Sequence, residues 1–230
     1  MSHLDFKVLS SPFGRTKKMR RIKGNCFRLQ ISIQSRKLKF VYRFFRVQGV
    51  ENGLNFWKDI PTGDKPPELL NMVIEVVSGS RDKYEYSLKW EAFVLDRIIP
   101  SSVVFPVEYG FVPQTWFDDE DPLDIMAMSF EPLEVGCIAK VKVIGALVID
   151  DEEGPDTKIL SVLVNDRRFE GYKDISDVHK HELTEIQEFF ETYKRLEPHR
   201  WAKVKEWKNA QEAMDMVKYS IEKYRKLASK

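Results

Sequence analysis

Two acidic clusters, Asp119-Glu120-Asp121-Pro122-Leu123-Asp124 and Asp150-Asp151-Glu152-Glu153 with Asp156, stand where strongly apolar, strand-like sequence ends or turns. Any fold that packs the apolar runs together must also bring carboxylates close to one another. Two carboxylates about 5 Å apart repel by roughly 3 kcal/mol at an effective dielectric of about 20. A cleft keeps that arrangement only with positive charge between the groups, and hard divalent ions with oxygen ligands, Mg²⁺ foremost, are the natural counterpart. The Asp119 loop is no EF-hand, since Leu123 supplies no ligand and no glycine follows it. Taken alone, either cluster also reads as a solvated acidic turn.

The 230 residues suit one domain with an extension, or two small domains, and 43% hydrophobic content is enough for a core. The net charge of +1 hides an asymmetry. Residues 1–57 carry thirteen Lys and Arg against only Asp5 and Glu51, a surplus of eleven positive charges, so the remainder is acidic by ten. Cys26 and Cys137, one in each part, give neither a disulfide framework nor a zinc spacing, which points to a reducing, cytoplasmic setting. No apolar stretch is long enough to span a membrane, and the N-terminus lacks the apolar core of a secretory signal.

Residues 1–56 form a basic extension whose alternatives are a dispensable leader or over-extended start, an organellar transit peptide, and a basic arm. Within it, Phe40–Phe45 can form a strand if it finds a partner. Trp57 to Pro67 reads as a Pro- and Gly-containing linker. Beyond it, strands are predicted over 69–77, 83–88, 92–99, 124–130, 137–149 and 158–164. Two helices close the chain, one carrying Leu183, Ile186, Phe190 and Tyr193 on one face, the other Ala213, Val217, Ile221 and Tyr224. Asn209 with Glu212 is a capping pair for the second. The expected class is mainly β with flanking helices, a small closed barrel with two C-terminal α-helices outside it.

Basic and phenolic residues recur beside the acidic ones: Lys83 and Glu85 begin one strand, Arg97 ends another, and Lys158 follows the second acidic cluster. Tyr193 and Lys194 lie on the first helix. Singly these are ordinary surface lysines and a stripe tyrosine. Glu75, inside Val73-Ile74-Glu75-Val76-Val77, is costly to bury without a partner, so a positive group or a metal-bound water is expected near it. His179 and His181 read as surface residues, and Trp201 and Trp207 as packing the barrel's end.

From Trp57 onward, about three quarters of the chain, the sequence resembles the family I soluble inorganic pyrophosphatases, particularly the short prokaryotic and archaeal kind. The resemblance is carried by Asp119-x-Asp121-Pro122-x-Asp124, Asn71 to Glu75, Lys83-Tyr84-Glu85, Val94 to Arg97, Tyr109-Gly110-Phe111-Val112-Pro113-Gln114-Thr115, Asp151-Glu152 with Gly154, Asp156-Thr157-Lys158, and Phe189-Phe190 with Tyr193-Lys194. It implies a five-stranded barrel like that of oligonucleotide-binding folds, Mg²⁺-dependent hydrolysis of pyrophosphate with Mn²⁺ or Zn²⁺ as possible substitutes, and a homohexamer. It further implies that Asp119, Asp124 and Asp156 hold the tighter metal site, Asp151 a further metal, and Asp121 acts as general base. Lys83, Arg97, Tyr109, Lys158, Tyr193 and Lys194 would grip the phosphoryl groups, with Glu75 and Glu85 ordering metals and water behind them. A dense polyanion needs several cations and fixed Lys or Arg charges, which agrees with this set.

Glu120 and Phe105 depart from the family pattern, where a turn-forming residue and a tyrosine are usual. Two other functions compete. A nucleic-acid-binding barrel would use the basic extension as its arm, but the acidic remainder would repel a phosphate backbone. A two-metal hydrolase of another phosphoanhydride shares the chemistry of attack.

Overall fold

The computed structural model describes residues 16–22, 26–32, 41–45, 53–152 and 154–229, the first three segments by backbone path only. Glu153 of the second acidic cluster and most of the basic extension lie outside the described residues. The chain divides into two units, Met1–Gly53 and Leu54–Lys230. In the first, β1 (Thr16–Ile22), β2 (Cys26–Ser32) and β3 (Val41–Phe45) form an antiparallel sheet with β2 central. The strand expected near Phe45 thus has β2 as its partner.

The second unit contains β4 (Leu69–Val76), β5 (Asp82–Ser87), β6 (Ala92–Ile98), β7 (Glu108–Phe111), β8 (Asp124–Met128), β9 (Ile138–Asp151) and β10 (Gly154–Leu163), then α1 (Lys180–Thr192), β11 (Ala202–Asn209) and α2 (Ala210–Ala228). Pairing runs β10–β8–β7–β4–β9 and returns from β9 to β10, so five strands close a ring. Only β8 with β10 is parallel within it. Closure depends on the long β9, whose first residues pair with β4 and whose later ones pair with β11, while β10 follows it along the other edge. β5 and β6 make a hairpin sheet of their own.

β4 is buried on both faces, which is why it reads as a nearly continuous apolar run rather than an alternating one. Successive residues join different apolar clusters. Met126 and Met128 pack with Ile186, Phe189 and Phe190 of α1, whereas Ile125 and Ala127 pack with Ala213 and Val217 of α2. Gly110 allows β7 to lie against β4, for a Cβ there would sit 1.9 Å from the Val73 carbonyl oxygen.

Two readings of the sequence need correction. The stretch from Trp57 is no loose linker: Trp57 is buried, its indole N–H donates to the Thr115 carbonyl at 2.9 Å, and its ring packs on Trp116 and Tyr224. Phe56, just before it, packs on Tyr86 and Phe93. Trp201 stays half exposed instead of packing the barrel's end, while Trp207 on β11 does pack against the core.

Candidate active site

One face of the second unit opens into a cavity of about 500 Å³ whose walls come from six places in the chain. β4 contributes Glu75. The β5–β6 hairpin contributes Lys83, Glu85, Asp96 and Arg97, and β7 contributes Tyr109. The loop entering β8 presents Asp119, Asp121 and Asp124. The β9–β10 turn and the start of β10 present Asp151, Glu152, Asp156 and Lys158, and the end of α1 presents Tyr193 and Lys194, with Arg200 beyond. All thirteen residues singled out in the sequence therefore line one cavity. Asp96, Glu152 and Arg200 were not singled out. The first two lie inside quoted motifs, whereas Arg200 carried no signal at all.

Lys158 is the pivot of the acidic wall. Its side chain is almost wholly buried, and the ammonium uses its three donors on Asp124 at 2.7 Å, Asp156 at 2.9 Å and the Tyr109 hydroxyl at 3.0 Å. Burial pulls this ammonium down, but the two aspartates outweigh it and hold it well above the ordinary lysine range. The Tyr109 hydroxyl donates to Asp124 in turn; burial first, and then the Asp124 charge, push its pKa well up. Lys194 makes a second such bridge, to Asp151 at 2.8 Å and Glu152 at 3.0 Å.

The remaining carboxylates carry the strain of crowding. Glu75 is buried and accepts from the Tyr86 backbone N–H at 2.6 Å, yet desolvation pushes it up to about 8, with the Asp124 charge adding to the rise. The partner expected for it is thus mainly a peptide N–H rather than a side-chain cation. Asp119 and Asp121 stand exposed at the cleft mouth, but the surrounding wall still withdraws water from them. That desolvation, reinforced by Asp124, raises Asp119 to about 6 and Asp121 to about 7.

Among the described residues no three carboxylates are gathered closely enough to hold an ion as they stand. The reason is visible in the bridges: Lys158 draws Asp124 and Asp156 onto itself, and Lys194 draws Asp151. The donor set nevertheless fits hard divalent cations. It consists of carboxylates, each offering two oxygens with about four lone-pair sites between them, so a lysine contact leaves acceptor capacity over. Nine carboxylates face five cationic side chains across this cavity, an excess of negative charge that mobile cations would relieve.

The two departures from the expected pattern sit harmlessly. Glu120 is exposed, does not line the cavity, and adopts φ 61°, a left-handed turn position that favours glycine and explains why a turn former is usual there. Phe105 is buried, its ring 5.5 Å from that of Tyr109 and 4.6 Å from that of Phe189.

A small barrel that collects these acids and bases in one cleft defines a class, the metal-dependent hydrolases of compact phosphate anions. The comparisons narrow it. The profile described as inorganic pyrophosphatase matches residues 72–225. The inorganic pyrophosphatase of Thermus thermophilus is 43% identical over 170 residues, 73% of this chain and 97% of that protein. Soluble inorganic pyrophosphatase 1 of Arabidopsis thaliana is 38% identical over 73% of this chain and 79% of its own length. The crystal structure of the Thermus thermophilus enzyme superposes with a TM-score of 0.73 at 42% identity, covering 75% of this chain and 99% of that one. The chain belongs to the inorganic pyrophosphatase family.

Proposed function

We infer that this chain is an inorganic diphosphatase, hydrolysing pyrophosphate to two orthophosphates with Mg²⁺. The observation that carries the reading is the composition of the cavity, where nine carboxylates are set against five fixed cations in about 500 Å³. Such a cleft would reject a polyanion unless cations entered with it.

Asp119, Asp124 and Asp156 would hold cations, with Asp151 contributing to a further one. Bound divalent cations would neutralise the substrate's charge and make a coordinated water more acidic. Asp121, raised to about 7, sits in the range where a carboxylate accepts a proton efficiently near neutral pH, which supports its role as general base. Lys83 and Arg97 on the hairpin, with Tyr109, Lys158, Tyr193 and Lys194 on the other walls, would fix the phosphoryl oxygens by charge-assisted hydrogen bonds, the Lys158 and Tyr109 donors turning to substrate as cations take over Asp124 and Asp156. Glu75 and Glu85 stand behind these groups. Glu85 pairs with Lys83 and keeps that ammonium in place.

Assembly with copies of itself is part of the proposal, supported by exposed Trp90, Leu95 and Ile98 on the hairpin. Among the described residues no helix is long and apolar enough to cross a membrane. The scattered cysteines support a cytoplasmic setting. Orthophosphate release from pyrophosphate, measured with added Mg²⁺ and with excess chelator, tests the reading; release that persists unchanged in chelator overturns it.

A further inference from the structure

We infer that Glu197 is a positioning residue for Arg97, setting the angle at which the guanidinium meets a phosphoryl group. Arg97 lies on β6, in a hairpin sheet that shares no strand pairing with the barrel. Its register partner on β5 is Lys83, so two like charges lie side by side, an arrangement that pushes the side chains apart unless carboxylates intervene. Asp96 accepts from Arg97 Nη1 but belongs to the same hairpin and cannot fix the hairpin against the rest of the site. Glu197 can. It comes from the turn after α1, a hundred residues along the chain, and its Oε1 accepts from Arg97 Nε at 3.1 Å.

The Glu197 side chain is only 12% exposed, and its own backbone N–H is tied to the Lys194 carbonyl at 2.9 Å. The ion pair therefore links the two cation-bearing walls, Arg97 on one and Lys194 on the other. Glu197 Oε2 also lies 3.6 Å from Arg200 Nε. With Nε and Nη1 committed to carboxylates, the guanidinium is held in orientation and keeps further N–H donors for an anion. Glu197 itself does not line the cavity, so it acts through Arg97 rather than on substrate.

The inference rests on Arg97 being a phosphoryl-binding cation. The test uses the full chain and four variants: Glu197→Ala, Glu197→Gln, Arg97→Met and the Glu197→Ala/Arg97→Met double. Each is assayed for kcat, KM for pyrophosphate at saturating Mg²⁺, and melting temperature. Glu197→Ala should raise KM about tenfold, in line with the cost of misplacing a substrate-orienting group. Glu197→Gln, which keeps an acceptor oxygen in place, should recover most of that loss. The double variant should be no worse than Arg97→Met, because the two residues act as one unit. Parental KM in Glu197→Ala, a fall in melting temperature without a change in KM, or additive losses in the double variant would each overturn the inference while leaving Arg97 in its role. Parental kinetics in Arg97→Met would instead overturn the role of Arg97, and the inference with it.

Discussion

At the scale of single residues, the acids of the cleft and the cations beside them are legible in the sequence, because carboxylates beside apolar strands are expensive, whereas the residue that orients Arg97 is not. Glu197 looked like any charge in a polar turn, and only the fold brings it to Arg97. Asp121→Asn keeps the size of the side chain but removes its ability to take a proton. Turnover should fall about 100- to 10,000-fold with the melting temperature preserved; unchanged kcat at saturating Mg²⁺ would remove Asp121 from that role. The raised acids also make a statement about pH. Glu75 titrates near 8 in the folded chain against an ordinary 4.5, so the cation-free folded state holds a proton that the unfolded state has already lost. The contribution of Glu75 to stability is then full below about pH 4.5 and declines as pH rises toward 8. Asp119 and Asp121 act in the same direction, though solvent access weakens their share. Melting in excess chelator should therefore move to lower temperature between about pH 5.5 and 8, and Mg²⁺ should flatten the slope. A melting temperature that climbs with pH in chelator would show that the carboxylates are not crowded in this way.

At the scale of elements, periodicity worked where one face or one run dominated. The predicted strands from 69 to 164 all correspond to observed ones, and both helices carry their apolar residues inward. In the second unit two strands lie outside those predictions. β7 is four residues long and includes Gly110 and a buried Glu108, so neither length nor alternation marks it. β11 has no fully buried residue and half of its side chains are charged, so the stretch reads equally as strand or loop, and pairing with the far half of β9 is what makes it a strand. The start of α2 was readable from local chemistry. Asn209 Oδ1 accepts from the Glu212 N–H at 3.0 Å, and Glu212 returns the bond to the Asn209 N–H at 3.1 Å. Asn209→Ala should cost about 1 kcal/mol, or roughly 2–4 °C in melting temperature, with kcat and KM unchanged. The same helix steadies the acidic loop, since Lys223 donates to the Phe117 carbonyl at 3.0 Å and to Asp118 at 2.6 Å. A loss of activity in Asn209→Ala at full folding would mean that the cap also sets that loop.

For the molecule as a whole, charge counting draws its line between a basic and an acidic part after residue 56, and the division into compact units falls between Gly53 and Leu54. Asn55 and Phe56 belong to the second unit, where the Asn55 amide donates to Glu91 at 2.8 Å and the Phe56 N–H to the Tyr86 hydroxyl at 3.1 Å. A chain beginning at Leu54 should keep the turnover and melting temperature of the full chain; a fall in either, or a change of assembly size by light scattering, would give the basic part a role in the fold or in assembly. The barrel alone does not choose among functions, because its ring of strands also suits nucleic-acid binding. The choice rests on the contents of the cleft. The most direct test is orthophosphate release by the full chain with Mg²⁺, compared across pyrophosphate, tripolyphosphate, ATP and a simple phosphate ester. Rapid release from pyrophosphate, two orthophosphates for each molecule consumed and far ahead of the other three, is the expected result. Equal or faster release from ATP or the ester would contradict it.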